Sequence, residues 1–146
     1  MSRVVLAESF GRRRLAEREC EGGDVPLVQI DLDRSLAARL KDRISDEIHQ
    51  ALVDALDITP TDRFQIFRTH DAGELVFDPT YNDVDRQNLV YIQILMVHAY
   101  DVDTKTKMFA HLVKRLEGIG IRHEDVLIGV VENGFEDWYA GQLRGE

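Results

Sequence analysis

The chain has 146 residues, of which 44% are hydrophobic and 31% are charged, and its formal net charge at pH 7 is −9. This length suits one domain with a proper core, and the composition excludes the disordered and membrane classes. The negative charge argues against general nucleic-acid binding, and no apolar run approaches the length that spans a bilayer. The N-terminal arm has no apolar segment of signal-peptide length, so we expect a cytoplasmic protein.

The residues after Pro26 predict a strand-helix-strand unit. The stretch PLVQIDL, residues 26–32, sets Leu27 and Gln29 alternately against the β-branched Val28 and Ile30, which is typical of a strand. A helix is predicted from its N-cap Asp33 to a stop before Pro60. Its apolar residues recur at every fourth position and form one stripe: Leu36, Leu40, Ile44, Ile48, Leu52 and Leu56. The stretch RFQIFRTH, residues 63–70, is the second predicted strand.

The same plan repeats after a loop. Residues 71–87 contain several turn-forming residues and are predicted to connect two halves of the domain. The stretch NLVYIQILMV, residues 88–97, is almost continuously apolar, as in strands covered on both faces. Asp103 is predicted to open a second helix, which ends near Gly118 and Gly120. The stretch VLIGVVEN, residues 126–133, is the fourth predicted strand.

Two successive βαβ units predict an α+β fold. They can merge into one four-stranded sheet with both helices on the same face. The other face would be bare, so we expect another copy of the chain to cover it. The domain is predicted to span residues 26–146. Residues 1–25 form an N-terminal arm that is either disordered or absent from the native protein.

Four stretches of the sequence carry a family resemblance. They are PLVQIDL from Pro26, DRFQI at residues 62–66, LVYIQI at residues 89–94 and VVENGFEDWYAG at residues 130–141. In this order and at this spacing they resemble the tautomerase superfamily and, more narrowly, its malonate semialdehyde decarboxylase-like branch. The resemblance implies a duplicated βαβ fold, a homotrimer and an active site around a proline that is the first residue of the mature chain.

Pro26 here follows 25 other residues, which raises the question of where translation starts. Valine can be encoded by GTG, and Glu21-Gly22-Gly23 requires purine-rich codons that resemble a ribosome-binding site. We therefore expect a start at Val25 and removal of the initiator, which would leave Pro26 with a free secondary amine. Such an amine can act as a general base and acid near neutral pH. With the arm retained, its nitrogen is an amide and Pro26 is a strand-edge residue.

Four other side chains are candidates for the site, and for Asp62 the resemblance implies the role. Asp62 matches the acidic active-site residue, which would position a water or modulate the charge of Pro26, and a turn or cap role is the alternative. Tyr100 is predicted to donate a hydrogen bond to an enolate oxygen. Arg86 lies in a loop that could close over a pocket, and Trp138 could cover the pocket wall or a trimer seam. These three are the predicted substrate-binding residues.

The chain departs from the decarboxylase branch where that branch carries arginines that bind the substrate carboxylate. The aligned positions hold Val97 and Ala99, which cannot form a bidentate clamp. His98 is a nearby polar replacement, but strand alternation favours a structural role for it.

We therefore expect a tautomerase-like enzyme acting on a small 2-oxo acid or related carbonyl compound. A decarboxylase, hydratase or dehalogenase of the same family is one alternative. A non-catalytic trimeric binding or scaffold protein is another. No cofactor or metal is expected, because Cys20 is the sole cysteine and the histidines lack metal-site spacing. The expected partners are a small carbonyl or carboxylate substrate and other copies of the chain, with neither nucleic acid nor membrane.

Overall fold

The structure is a computed structural model that describes residues 26–143. Three short 3-10 turns accompany six regular elements: strand β1 (Leu27–Asp33), helix α1 (Arg34–Leu56), strand β2 (Phe64–His70), strand β3 (Val90–Val97), helix α2 (Val102–Glu117) and strand β4 (Val126–Asn133). The predictions for residues 1–25, including the start at Val25, lie outside the described residues.

The four strands form one sheet in the order β2-β1-β3-β4. Strand β1 is parallel to β2 and β3 is parallel to β4, so each strand-helix-strand unit supplies one parallel pair. The central strands β1 and β3 are antiparallel and join the two halves. This topology confirms the predicted α+β fold built from duplicated βαβ units.

The core lies between the sheet and the two helices. Alternate residues of β1 and β3 point into it and are fully buried, and the apolar stripes of α1 and α2 pack against them, with Leu40 only partly buried. Burying one Ile, Leu or Met side chain contributes about 1.5–3 kcal/mol, so this layer is the main source of stability. Its largest members are Ile30, Leu32, Ile44, Ile48, Leu52, Ile92, Ile94, Met96, Met108, Leu112 and Leu116.

The helix starts were predicted with mixed success. Asp33 caps α1 as predicted, since its carboxylate accepts a hydrogen bond from the backbone N–H of Ser35 at 3.0 Å. The prediction that Asp103 opens α2 is wrong. Asp101 is the cap and accepts from the N–H of Thr104 at 2.8 Å, whereas Asp103 lies inside the first turn. A cap must precede the helix with extended backbone, and Asp101 has that conformation.

The sheet face opposite the helices carries apolar side chains that are partly exposed in one chain. Phe64 is 57% exposed, and Ile66, Leu127 and Val131 are each more than 40% exposed. A depression of about 250 Å³ on this face is lined by Leu27, Gln29, Gln93, Leu95 and Val131. In the described part of the chain, neither helix lies on this face, and neither is long and apolar enough to cross a membrane.

Candidate active site

Pro26 lies at the end of the sheet where β1 and β2 begin and where β3 and β4 end. Leu27 pairs with Phe64 of β2 and with Leu95 of β3. Continuing that register by one residue places Pro26 between Arg63 and Met96. Pro26 is buried, and strand alternation directs its ring toward the helix side.

Asp62 lies at the same end of the sheet, in the turn that precedes β2. The turn is held by a hydrogen bond from the N–H of Asp62 to the carbonyl of Thr59 at 2.9 Å, and the residue is half-buried. Because Pro26 and Asp62 lie one and two residues before the paired parallel strands β1 and β2, the fold brings the two predicted catalytic residues to one edge. Whether Asp62 acts on a substrate stays a prediction.

Tyr100 also lies at this edge, in the connection from β3 to α2. It is half-buried and packs against the core. The N-cap Asp101 follows it directly. The hydroxyl-bearing ring is therefore positioned by core packing between the end of β3 and the first turn of α2, on the side of the sheet toward which Pro26 is directed.

Trp138 reaches this edge from β4. Its indole Nε1 donates a hydrogen bond to Oδ1 of Asn133 at 2.9 Å. Asn133 is the last residue of β4 and pairs with Val97 at the end of β3. The half-buried indole thus lies beside the strand ends, two strands away from Pro26.

Arg86 is the predicted substrate-binding residue that the structure does not bring to Pro26 within one chain. It lies in the loop before β3, at the opposite end of the sheet. Its side chain is buried and its Nη1 donates to the carbonyls of Asp78 at 3.0 Å and Tyr81 at 3.4 Å. Its Nε is buried without a hydrogen-bond partner in the described residues. Arg86 therefore holds its own loop, and contact with a substrate at Pro26 of the same chain is not supported by this position.

Val97 and Ala99 are the positions that the family resemblance matches to the arginines of the branch. Val97 is fully buried and Ala99 is half-buried. Next to them the structure shows an ion cluster of Lys105, Glu132 and His98. Lys105 Nζ lies 3.1 Å from Glu132 Oε1, and His98 Nδ1 lies 3.0 Å from Glu132 Oε2. The hydrogen bond from Lys105, with that from His98, lowers the pKa of Glu132.

Sequence reasoning missed Lys105 and Glu132. Glu132 falls inside the matched stretch VVENGFEDWYAG, and Lys105 is a first-turn residue of α2. The two residues are 27 positions apart, and no spacing rule within the chain pairs them, so no sequence signal pointed to this contact.

A second charged cluster lies on the open face near the opposite end of the sheet. Asp31 accepts hydrogen bonds from Arg68 Nε at 3.0 Å, from Arg68 Nη2 at 2.9 Å and contacts His70 Nε2 at 2.7 Å. Burial alone would raise the pKa of Asp31, but the hydrogen bonds from Arg68 and His70 outweigh it and the pKa is lowered. Residues 26–143 contain no group of three His, Cys, Asp or Glu side chains placed to hold a metal.

The family model described as a tautomerase enzyme matches residues 62–141, which is more than half of the chain. A Bacillus subtilis (strain 168) protein named "Probable tautomerase YusQ" is 29% identical over 124 residues, covering 84% of this chain and 98% of that protein. The residues matched by the family model, 62–141, include both Asp62 and Trp138.

Solved structures agree with this match. A malonate semialdehyde decarboxylase named FG41, inhibited by 3-bromopropiolate, is 32% identical with a TM-score of 0.75, over 80% of this chain and 89% of that one. A second malonate semialdehyde decarboxylase, described with decarboxylase and hydratase activities, is 28% identical with a TM-score of 0.74, over 81% and 92%. A fused 4-OT symmetric trimer at 12% identity and a TM-score of 0.66, covering 79% of this chain and 91% of that one, shares the fold. The chain belongs to the tautomerase superfamily, in its malonate semialdehyde decarboxylase-like branch.

Proposed function

We propose that the chain, beginning at Pro26, is an isomerase that moves a proton between carbon and oxygen in a small 2-oxo acid or related carbonyl compound. Pro26 removes a proton from the enol hydroxyl or from the carbon next to the carbonyl. It then returns a proton at the other position. The protein needs to supply an amine of suitable pKa and a donor for the developing enolate oxygen.

The observation that carries this proposal is the position of Pro26. It is buried at the start of β1, beside the ends of three strands, with Asp62, Tyr100 and Trp138 at the same edge of the sheet. An apolar environment disfavours the protonated amine and so brings its pKa toward neutrality. In this arrangement Tyr100 donates to the enolate oxygen, Asp62 positions a water or hydroxyl, and Trp138 forms part of the pocket wall.

Decarboxylation, hydration or dehalogenation by the same residues is the second proposal. The similarity to two malonate semialdehyde decarboxylases favours it. Val97 and Ala99 at the aligned arginine positions argue against it, because neither can bind a carboxylate or stabilise the charge that develops as carbon dioxide leaves. Release of carbon dioxide from malonate semialdehyde distinguishes this activity from proton transfer alone.

We also propose that three copies of the chain assemble through the open sheet face, in the cytoplasm. The exposed apolar residues Phe64, Ile66, Leu127 and Val131 support this assembly, since such a face is costly to leave in water. Arg86 would reach a substrate in this assembly only from a neighbouring copy. Sedimentation equilibrium measures the mass directly, and replacement of Phe64 by Glu is expected to yield monomers.

The ketonisation of phenylenolpyruvate tests the function of Pro26. Three proteins are compared: the chain that begins at Pro26, its Pro26→Ala variant, and the full chain that begins at Met1. We expect the first to be active and Pro26→Ala to lose about 100-fold to 10,000-fold in kcat/KM, the range for loss of a general base. The full chain is expected to be inactive, because its Pro26 nitrogen is an amide.

A full chain that matches the Pro26-initiated protein in activity would contradict the role of the amine. If neither form turns over any enol or malonate semialdehyde while both assemble, the non-catalytic alternative is favoured. The mass of the protein from its own host identifies the natural first residue. The rate of the active form is expected to rise with pH through the pKa of the amine, because the base acts unprotonated.

A further inference from the structure

We propose that Lys105 binds the carboxylate of the substrate and so replaces the arginines absent at Val97 and Ala99. This inference rests on the proposed function, in which the substrate is a small 2-oxo acid. A carboxylate approaching a protein of net charge −9 needs a local cation at the site. Val97 and Ala99 cannot supply one, so the cation must come from another residue at the Pro26 edge.

The strand register places Lys105 on the correct side of the sheet. Pro26 lies beside Met96, and Met96 pairs with Glu132 of β4. All three fall at alternate positions directed to the helix side, as shown by the full burial of Met96. Adjacent strands are spaced about 4.8 Å apart, so the backbones of Pro26 and Glu132 are separated by about 10 Å.

Lys105 reaches Glu132 from α2. It lies in the first turn of that helix, which starts at the Pro26 end of the sheet, and its Nζ is 3.1 Å from Glu132 Oε1. The side chains of Lys105 and Glu132 are each about three-quarters buried. An ammonium has three donors and the bond to Glu132 uses one, so further donors remain for a substrate carboxylate. Glu132, held on its other oxygen by His98, fixes the position of the ammonium.

Two other basic side chains of the described residues lie at this edge, and the geometry favours Lys105 over both. Arg63 is next to Pro26 in register, but its guanidinium is held against α1 by Asp46 at 2.7 Å and by the hydroxyl of Ser45 at 3.2 Å. It lies on the β2 side of Pro26, whereas Tyr100 follows β3 on the other side of β1. The side chain of His98 is 78% exposed and lies on the solvent side of Glu132.

The test separates binding of charge from folding by pairing an acid with its ester. Steady-state kinetics of the Pro26-initiated protein are measured with phenylenolpyruvate and with its methyl ester, for Lys105→Met and for Lys107→Met. Lys107 is an exposed residue of the same helix, so its variant makes the same change of charge and length outside the site. We expect Lys105→Met to raise KM for the acid about tenfold to 100-fold, the range for one lost charged hydrogen bond, with kcat little changed.

For the methyl ester, Lys105→Met is expected to change KM less than threefold, and Lys107→Met to leave both substrates within twofold. The proposal is overturned if Lys105→Met weakens acid and ester equally, if it weakens neither, or if Arg63→Met produces the acid-selective effect instead.

A binding measurement keeps this test independent of turnover. Calorimetric titration with 3-phenylpropanoate and with 3-phenylpropanamide needs no catalysis by Pro26. Lys105→Met is expected to raise the dissociation constant of the carboxylate ligand about tenfold and to leave that of the amide ligand unchanged. A protein that is inactive on enols but retains this selectivity would refute the proposed proton transfer while supporting the carboxylate site. A protein that is active on enols but binds the carboxylate and the amide ligands equally well would support the proton transfer and refute the carboxylate site.

Discussion

Replacing Asp31 by Asn is expected to destabilise the fold through loss of charge, with little change in shape. The carboxylate is almost completely buried and makes three contacts with Arg68 and His70. A hydrogen bond to a charged group contributes about 1 kcal/mol more than a neutral one, so three contacts would lose about 3 kcal/mol. Because the side chain of Arg68 is half-exposed, water recovers part of that loss, and we expect about 2 kcal/mol.

The matched control is Asp71→Asn. Asp71 also pairs with an arginine, Arg34, at 2.8 Å, but both of these side chains are largely exposed. Its replacement is expected to cost much less than that of Asp31. The free energy of unfolding is measured in urea at one fixed protein concentration, because an assembling protein gains stability with concentration.

The pH dependence follows from the lowered pKa of Asp31. A carboxylate with a lowered pKa in the folded state stabilises the fold above its ordinary value near 3.8, and this contribution is lost as pH falls toward the lowered value. The difference between wild type and Asp31→Asn should therefore be greatest at neutral pH and shrink as the pH is lowered below 4. Equal losses for Asp31→Asn and Asp71→Asn, or a difference that does not shrink at all as the pH is lowered below 4, would refute the reasoning.

Three further perturbations have defined outcomes. Arg86→Met removes the hydrogen bonds to the carbonyls of Asp78 and Tyr81. Amide hydrogen exchange in residues 71–89 should accelerate, with the local free energy of opening lower by about 1–2 kcal/mol. Unchanged exchange would show that the guanidinium does not hold the loop. Trp138→Phe keeps an aromatic ring but loses the hydrogen bond to Asn133. A urea titration should show a free energy of unfolding lower by about 0.5–1.5 kcal/mol, and an unchanged value would mean that the bond contributes nothing. Asp101→Ala should lower the thermal midpoint more than Asp103→Ala, because Asp101 alone of the two caps α2; the reverse order would contradict the observed helix start.

The common position of Pro26, Asp62, Tyr100 and Trp138 could be anticipated from the strand order, although their roles stay predictions. Each lies within five residues of a strand end at one edge of the sheet, and strand ends can be located from sequence patterns. Arg86 was chosen from its place in a loop, and loop conformation is not encoded by periodicity. Its guanidinium bonds to its own loop at the other end of the sheet.

The sequence by itself determined the duplicated strand-helix-strand order, the core stripes and the family, because hydrophobic periodicity and short motifs are local properties of the chain. Only the tertiary structure decided that β1 and β3 are neighbours and antiparallel, that Asp31 pairs with Arg68 and His70, and that Lys105 meets Glu132 at the same end of the sheet as Pro26. These contacts join residues 27 to 68 positions apart. Their geometry depends on how strands and helices pack, and no spacing within the chain specifies it.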